Sequence, residues 1–261
     1  MGTIFVIKAG GNIIDDPDSL NQLLDAFSAL DAPKILVHGG GKVASAIGKS
    51  MGIEPVYHEG RRITDEATLD LVTMVYAGLV NKKLVASLQS RQCNAIGLCG
   101  ADANILLAQK RTAGTIDYGF AGDVRSDGVN TSWLMQQLQN GICPVLAPIT
   151  HDGKGQLLNT NADTIAQETA QALARAANVQ LVYGFEKEGV LRDPANEASV
   201  IPSIDRSLYE KLKAEGVISG GMIPKLDNAF KAINCGVTKV SIGYAQHLSE
   251  LINAQTGTQI I

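Results

Sequence analysis

Short apolar runs alternate along this chain with longer stretches in which apolar residues recur every three or four positions. That alternation predicts strands of a parallel sheet joined by covering helices. Ile4-Phe5-Val6-Ile7 reads as the first buried strand. Asp18 to Leu30 carries Leu20, Leu23, Leu24 and Phe27 on one helical face, Ile35 to Val37 is a second strand, and Lys42 to Met51 is a helix closed by Gly52. A long helix follows from Thr64 to Gln89, with Thr64 as its N-cap and Asp65 and Glu66 in its first turn. Ala95 to Leu98 and Pro144 to Ile149 read as strands, Asn104 to Val124 as a hairpin region above the sheet, and Thr131 to Asn140 as a helix ended by Gly141.

The rest of the chain repeats the scheme. Helices are predicted over Asn161 to Ala177, Asp205 to Glu215 and Pro224 to Asn234, the last with proline in its first turn and Gly236 beyond its end. Val179 to Val182 and Lys239 to Ile242 are strands, and Thr258 to Ile261 a short terminal one. No low-complexity linker intervenes, so residues 1–155 and 156–261 are expected to form two lobes on one continuous sheet, with a stiff junction near Thr150 to Gly155. The expected fold class is α/β, a three-layer αβα sandwich with a mainly parallel central sheet.

Composition narrows the function. With 261 residues, 45% of them hydrophobic and 18% charged, the chain can bury a full core and is not disordered. A net charge of −4 and the lack of any Lys/Arg block leave no electrostatic footprint for nucleic acid. No basic-then-apolar leader opens the sequence, and no apolar stretch reaches the ~18 residues of a membrane span. The expected setting is cytoplasmic, without nucleic-acid or membrane partners. Cys93, Cys99, Cys143 and Cys235 lack metal-site spacing and are expected to be buried free thiols. His38, His58, His151 and His247 are dispersed and no Gly-x-Ser-x-Gly elbow occurs, which argues against a triad hydrolase.

The chemistry lies in glycine-rich and charged strings. The first strand ends at Lys8 and turns at once through Gly10 and Gly11, which sets a positive charge and bare N–H groups at one spot, suited to a polyphosphate and equally open to an ordinary strand turn. Gly39-Gly40-Gly41-Lys42-Val43-Ala44 fits Gly-x-Gly-x-x-Ala, yet no acid ends a following strand about 20 residues on. It is not a P-loop either, since Leu36 and Val43 stand where that loop needs glycine and a hydroxyl. Gly60-Arg61-Arg62-Ile63-Thr64 offers a guanidinium to grip a carboxylate, or two solvated loop arginines. Asn159-Thr160-Asn161-Ala162-Asp163 sets an amide and a carboxylate at a strand-to-helix junction, where capping also accounts for them. Gly220-Gly221-Met222-Ile223-Pro224-Lys225 puts a lysine in a first helical turn, against the macrodipole, and a nearby anion would offset that.

Jointly, Lys8-x-Gly10-Gly11, His38-Gly39-Gly40-Gly41, Gly60-Arg61-Arg62-Ile63-Thr64, Asn159-x-Asn161-Ala162-Asp163, Gly221-Met222-Ile223-x-Lys225 and Gly257-Thr258-x-Ile260 span essentially the whole chain in order. In this the chain resembles the amino acid kinase family, and within it the members acting on an N-acylated glutamate. The resemblance implies ATP-dependent phosphorylation of the γ-carboxylate of N-acetyl-L-glutamate, the second step of arginine biosynthesis, with Mg²⁺ accompanying ATP. N-succinyl-L-glutamate, a sibling carboxylate or carbamate, and a non-catalytic amino-acid sensor are the alternatives. By resemblance Lys8 and Lys225 stabilise the transferring phosphoryl group and Asp163 orients them. Backbone at Gly40 and Gly41, with Arg62 and Asn159, holds the acylated amino acid. Gly10, Gly11, Glu186, Gly189, Leu191 and Ser219 fall on the nucleotide side. The first lobe takes the acyl amino acid and dimerisation, the second ATP. A carboxylate with a reference pKa of about 4.3 attacks without a general base, so no catalytic histidine is required.

Two departures from the family pattern stand out. Phe185-Glu186 occupies the place of a Ser/Thr-Asp pair, and Gly100-Ala101-Asp102-Ala103 that of Gly-Lys-Asp-Gly, so the adenosine contacts and the acyl pocket are expected to differ. Arginine-inhibited hexamers of the family carry an extra N-terminal helix. Here the first strand begins by Thr3, and the resemblance implies a homodimer that arginine does not inhibit and that has no regulatory signalling-protein partner.

Overall fold

The structure, a computed structural model, describes residues 2–58, 60–112 and 114–261. β1 (Ile4–Ala9) leads into α1 (Gly11–Asp15), α2 (Pro17–Ala29), β2 (Lys34–His38), α3 (Gly41–Ser50) and a small hairpin of β3 (Tyr57–His58) and β4 (Arg61–Arg62). One continuous 24-residue helix follows, Glu66–Gln89. It consists of α4 (Glu66–Val72), a π-helical middle (Thr73–Val80) and α5 (Asn81–Gln89). Then come β5 (Ala95–Leu98), β6 (Leu106–Lys110), β7 (Gly122–Val129), α6 (Thr131–Gln139), β8 (Cys143–Leu146), β9 (Ile149–His151) and β10 (Leu157–Asn159). The chain ends with α7 (Ala162–Ala174), β11 (Val179–Phe185), β12 (Ser203–Ile204), α8 (Arg206–Ala214), α9 (Met222–Asn234), β13 (Lys239–Tyr244), α10 (Leu248–Ile252) and β14 (Thr258–Ile260).

Eight strands make the central sheet in the order β12-β14-β13-β11-β1-β2-β8-β5, parallel throughout except where β14 meets β13. In a separate four-stranded sheet, β10-β9-β6-β7, the antiparallel pair β6 and β7 takes the place of the hairpin expected over Asn104 to Val124, while β9 and β10 join it from outside that range. β1 explains why its apolar run is unbroken: it is buried on both faces. Ile4 and Val6 join a core with α6, α7, α8 and α9, while Phe5, Ile7 and Ala9 join a second core with α2, the long helix and α10. Helices therefore cover both faces, and β1 lies at the centre with Lys8 in register with Tyr183 and Val37.

The structure corrects several expectations. Asp65, not Thr64, caps α4, its carboxylate accepting from Thr68 N at 2.8 Å. Thr64 is instead bound sideways, its N–H donating to Tyr118 O and its hydroxyl to Arg62 O. Pro144 to Ile149 is two strands rather than one: β8 ends at Leu146, and Pro148, which has no N–H to donate, marks the passage to β9 in the other sheet. Thr150 to Gly155 belongs to β9 and the turn of its antiparallel hairpin with β10. Cys93 and Cys143 are buried, whereas Cys235 is exposed. Glu66–Gln89 does reach the length and mean hydropathy, 1.3, of a membrane span. Here it lies along the sheet, burying Leu69, Leu71, Val72, Val75, Val80, Leu84 and Leu88 in the second core.

Candidate active site

The carboxyl ends of parallel strands are where an α/β sheet gathers polar groups, and β1 delivers Lys8 there. Its ammonium lies 2.8 Å from Asp163 Oδ1. Asp163 owes its place to the capping of α7, where the Asn161 side chain accepts from Asp163 N at 2.7 Å and from Thr164 N at 3.4 Å. α9 brings Lys225 from the other side, Nζ 3.8 Å from Asp163 Oδ2. One carboxylate thus holds two ammonium groups, one per oxygen. Burial pushes the Asp163 carboxyl up, but Lys8 and Lys225 outweigh it and draw it down to about 2. Burial lowers Lys225, with Asp163 and Glu186 opposing and Lys8 reinforcing. The Lys225 ammonium also lies 4.8 Å from the ring centroid of Phe185 and 5.8 Å from that of Tyr183.

Beside this triad is a cavity of about 350 Å³ lined by Lys8, Gly11, Gly40, Gly41, Arg62, Asn159 and Asp163, among others. Gly40 precedes α3 with φ +155, and a Cβ there would come 3.0 Å from the Tyr76 ring. Glycine is required, and the backbone of the Gly40–Gly41 turn is laid bare to the cavity. Arg62 enters from β4, nearly buried, with Nη2 donating to Gly41 O at 2.9 Å, to Ser45 Oγ at 2.8 Å and to the Tyr57 hydroxyl. Asn159, at the end of β10, donates to Thr64 Oγ1 at 3.0 Å. Behind the glycines His38 is fully buried, Nδ1 bonded to Gly39 O and Nε2 facing the Asn81 amide, and burial lowers it to about 4. It is a neutral structural histidine.

Three of the residues expected on the nucleotide side lie elsewhere. Gly189, Leu191 and Ser219 line a second cavity of about 180 Å³, together with Phe185, Val190, Ile218 and Met222. Most of its lining is apolar. Glu186 is among the lining residues of neither cavity: Oε1 accepts from Asn12 Nδ2 at 2.6 Å, tying β11 to α1. The Gly10 N–H is already engaged with Gly184 O at 2.8 Å, so of the first glycine pair only Gly11 faces the first cavity. Lys225 stands between the cavities, with Asp163 on one side and Phe185 on the other.

Tyr57 and Tyr76 are cavity residues that the sequence did not single out, and Phe185 stood out only as a departure from the family pattern. Tyr57 sits in a two-residue strand too short for any periodicity, and Tyr76 reads as core because it lies inside the apolar run of the long helix. Among the described residues no three Asp, Glu, His or Cys side chains form a metal cluster, and Asp163, the cavity's carboxylate, is held by two lysines. This donor set suits a magnesium ion carried in on phosphates rather than one held by protein ligands. The arrangement as a whole can neutralise charge on a phosphoryl group and anchor a small anion beside it.

A sequence model of the amino acid kinase family matches residues 3–244. The chain is 56% identical to the acetylglutamate kinase of Cytophaga hutchinsonii, across 100% of this chain and 99% of that one. It is 52% identical to the acetylglutamate kinase of Bacteroides fragilis strain YCH46, covering 98% and 95%. Among solved structures, N-acetylglutamate synthase from Neisseria gonorrhoeae superposes with a TM-score of 0.83 at 24% identity, over 99% of this chain and 59% of that longer one, a likeness of fold.

Proposed function

The chain belongs to the amino acid kinase family, and from that premise we propose the reaction and the part each residue takes in it. The enzyme transfers the γ-phosphoryl group of ATP to the γ-carboxylate of N-acetyl-L-glutamate, giving N-acetylglutamyl 5-phosphate in arginine biosynthesis. The observation that carries the residue assignment is Asp163 pairing with both Lys8 and Lys225, while Lys8 and Asp163 line one cavity with Gly40, Gly41, Arg62 and Asn159.

In the reaction a γ-carboxylate oxygen attacks the γ-phosphorus, the new O–P bond forms as the bond to the bridging oxygen of ADP breaks, and no proton moves. Chemistry of this kind needs alignment and positive charge, not a base. Arg62 and Asn159 hold the α-carboxylate and amide of the acylated substrate against the Gly40–Gly41 backbone. Lys8 and Lys225 meet the negative charge that spreads over the transferring group and the leaving oxygen, and Asp163 keeps both ammonium groups aimed. Gly11 lies against the phosphates, and Gly189, Leu191 and Ser219 form the wall on which the base rests. Magnesium bound to the nucleotide phosphates would supply further charge neutralisation. Glu186 acts through Asn12, bracing the turn that carries Gly10 and Gly11. Residues 1–155 serve mainly the acyl amino acid and pairing of subunits and residues 156–261 mainly ATP, with Asn159 reaching to the acyl substrate and Gly11 to the phosphates across that division.

A homodimer is supported by Met74 and Leu79, exposed large apolar residues on the long helix. ATP supply and four free cysteines support a cytosolic setting.

An ATP- and Mg²⁺-dependent assay that traps acyl phosphate with hydroxylamine tests the reading, with N-acetylglutamate, N-succinylglutamate, glutamate and aspartate as acceptors. Turnover of N-acetylglutamate, reduced about 100- to 1000-fold by Lys8→Ala, is expected. Preference for the succinyl compound would reassign the acyl group, and hydroxamate from none of the four would sink the assignment.

A further inference from the structure

The string Gly257-Thr258-x-Ile260 lines neither cavity, and nothing in the phosphoryl transfer uses it. Thr258 begins β14 and is fully buried. Its hydroxyl accepts from Val190 N at 2.8 Å and donates to Ile201 O at 2.7 Å. A hydroxyl has one proton to give, and here it is committed to one named carbonyl. Val190 and Ile201 are the two ends of a closed loop, joined directly by Ile201 N donating to Val190 O at 2.9 Å and by the bridge between Leu191 and Val200. Thr258 therefore clips both ends of that loop to the sheet from beneath.

The loop is the wall of the second cavity. Val190 and Leu191 line it, and both are nearly buried. Gly189, just before them, is not in the left-handed region, so its backbone conformation does not demand glycine. What demands it is space: a Cβ there would lie 2.8 Å from Thr258 Oγ1 and 2.9 Å from Val200 Cγ1. The glycine of the nucleotide-side string and the threonine of the C-terminal string, 69 positions apart by numbering (258 − 189), are one contact.

We propose that Thr258 is a positioning residue for the nucleotide: its hydroxyl sets the height of the Val190–Leu191 wall, and Gly189 is glycine to admit that hydroxyl. This rests on reading the second cavity as the nucleotide side. Thr258→Val keeps the shape and removes the two hydrogen bonds, leaving Val190 N–H and Ile201 C=O unpaired in the interior. The wall then relaxes where the base rests, while the Lys8–Asp163–Lys225 group and the first cavity keep their own supports.

Steady-state kinetics on the full chain test it. Thr258→Val is expected to raise KM for ATP about tenfold, the scale of one or two lost hydrogen bonds, with kcat and KM for N-acetylglutamate within about twofold, and Thr258→Ser restores KM for ATP. An unchanged KM for ATP in Thr258→Val, or equal losses toward both substrates, would overturn the inference. Ser219→Trp separates failure of the clip from failure of the cavity reading. Ser219 is exposed at the rim, and a bulky ring there blocks the second cavity. If Ser219→Trp leaves KM for ATP alone, the cavity is not the nucleotide side and the inference falls with it. If only Ser219→Trp raises it, the cavity reading stands and the clip is wrong. Should Thr258→Val fail to fold, hydrogen exchange in the unaltered protein decides: the Val190 amide is expected to be protected before nucleotide is added, and rapid exchange there would overturn the inference.

Discussion

Asp163 is the residue on which the site's electrostatics turn. Two ammonium groups hold its carboxyl at about 2 against an ordinary value of 3.8. A depressed carboxyl contributes stability that is fully present above its ordinary range and is lost as the pH falls from about 4 through about 2. The difference amounts to about 2 kcal/mol. Denaturant unfolding followed across that acid range should show this loss in the native protein and not in Asp163→Asn. The same substitution acts on the lysines. Without the carboxylate, burial and Lys8 press on Lys225 with less opposition, so its ammonium gives up its proton at lower pH. A pH profile of kcat for Asp163→Asn is expected to lose its alkaline limb earlier than that of the native enzyme, on a maximum reduced about 100-fold. An alkaline limb that stays in place would mean that Asp163 does not set the charge of Lys225. Lys8 and Lys225 stood out because a lysine beside glycines or at a helix start is out of keeping with its surroundings, whereas Asp163, an acid in a first helical turn, is accounted for by capping and was singled out only through the resemblance. Phe185 stood out as a departure from the family pattern, but its contact with Lys225 did not, because an aromatic residue ending an apolar strand gives no sign of what approaches its face.

Among the elements, the long ones declared themselves through periodicity. β1, α2, α3, α6, α7 and α8 lie within a few residues of the reading from apolar spacing, and caps such as Asp205 and Asn161 mark their starts. β3, β4, β10 and β12 have two or three residues each and carry no pattern. Their existence depends on long-range pairing, as does the sheet order that puts β1 between β11 and β2. The π-helical stretch is another feature that spacing does not announce. There the long helix presents Tyr76 and Val80 to Gly40, whose absent side chain gives the Tyr76 ring its place. Gly40→Ala therefore meets two penalties, a Cβ 3.0 Å from that ring and a backbone at φ +155. A cost of about 1–3 kcal/mol is expected, seen as a lowered Tm. Because the turn lines the cavity proposed for the acyl substrate and not the second one, KM for N-acetylglutamate should rise more than KM for ATP. A larger effect on ATP would place the Gly40 turn on the wrong substrate.

At the scale of the whole molecule, the long helix is apolar on more than one side. One side faces the core through Leu71, Val72, Val75 and Leu84, yet Met74 is 54% and Leu79 39% exposed on the other. This is why its composition reaches that of a membrane span. A lipid surface does not fit, because Asp70, Lys82 and Lys83 stand exposed within two turns of Met74 and Leu79, and the apolar surface between them is far short of the ~20 residues a span requires. A second copy of the chain does fit. In a two-fold pairing of antiparallel helices centred near residue 76, Met74 of each copy falls opposite Gly78 of the other, where the glycine leaves open space. Sedimentation at micromolar concentration should give a mass of twice 27.5 kDa. Met74→Glu should lower it to that of one chain with the circular dichroism unchanged. Met51→Glu, at a residue 52% exposed at the end of α3, serves as the comparison and should leave the dimer intact. If both substitutions split the dimer, or neither does, the pairing does not run through the long helix and its exposed apolar residues need another explanation.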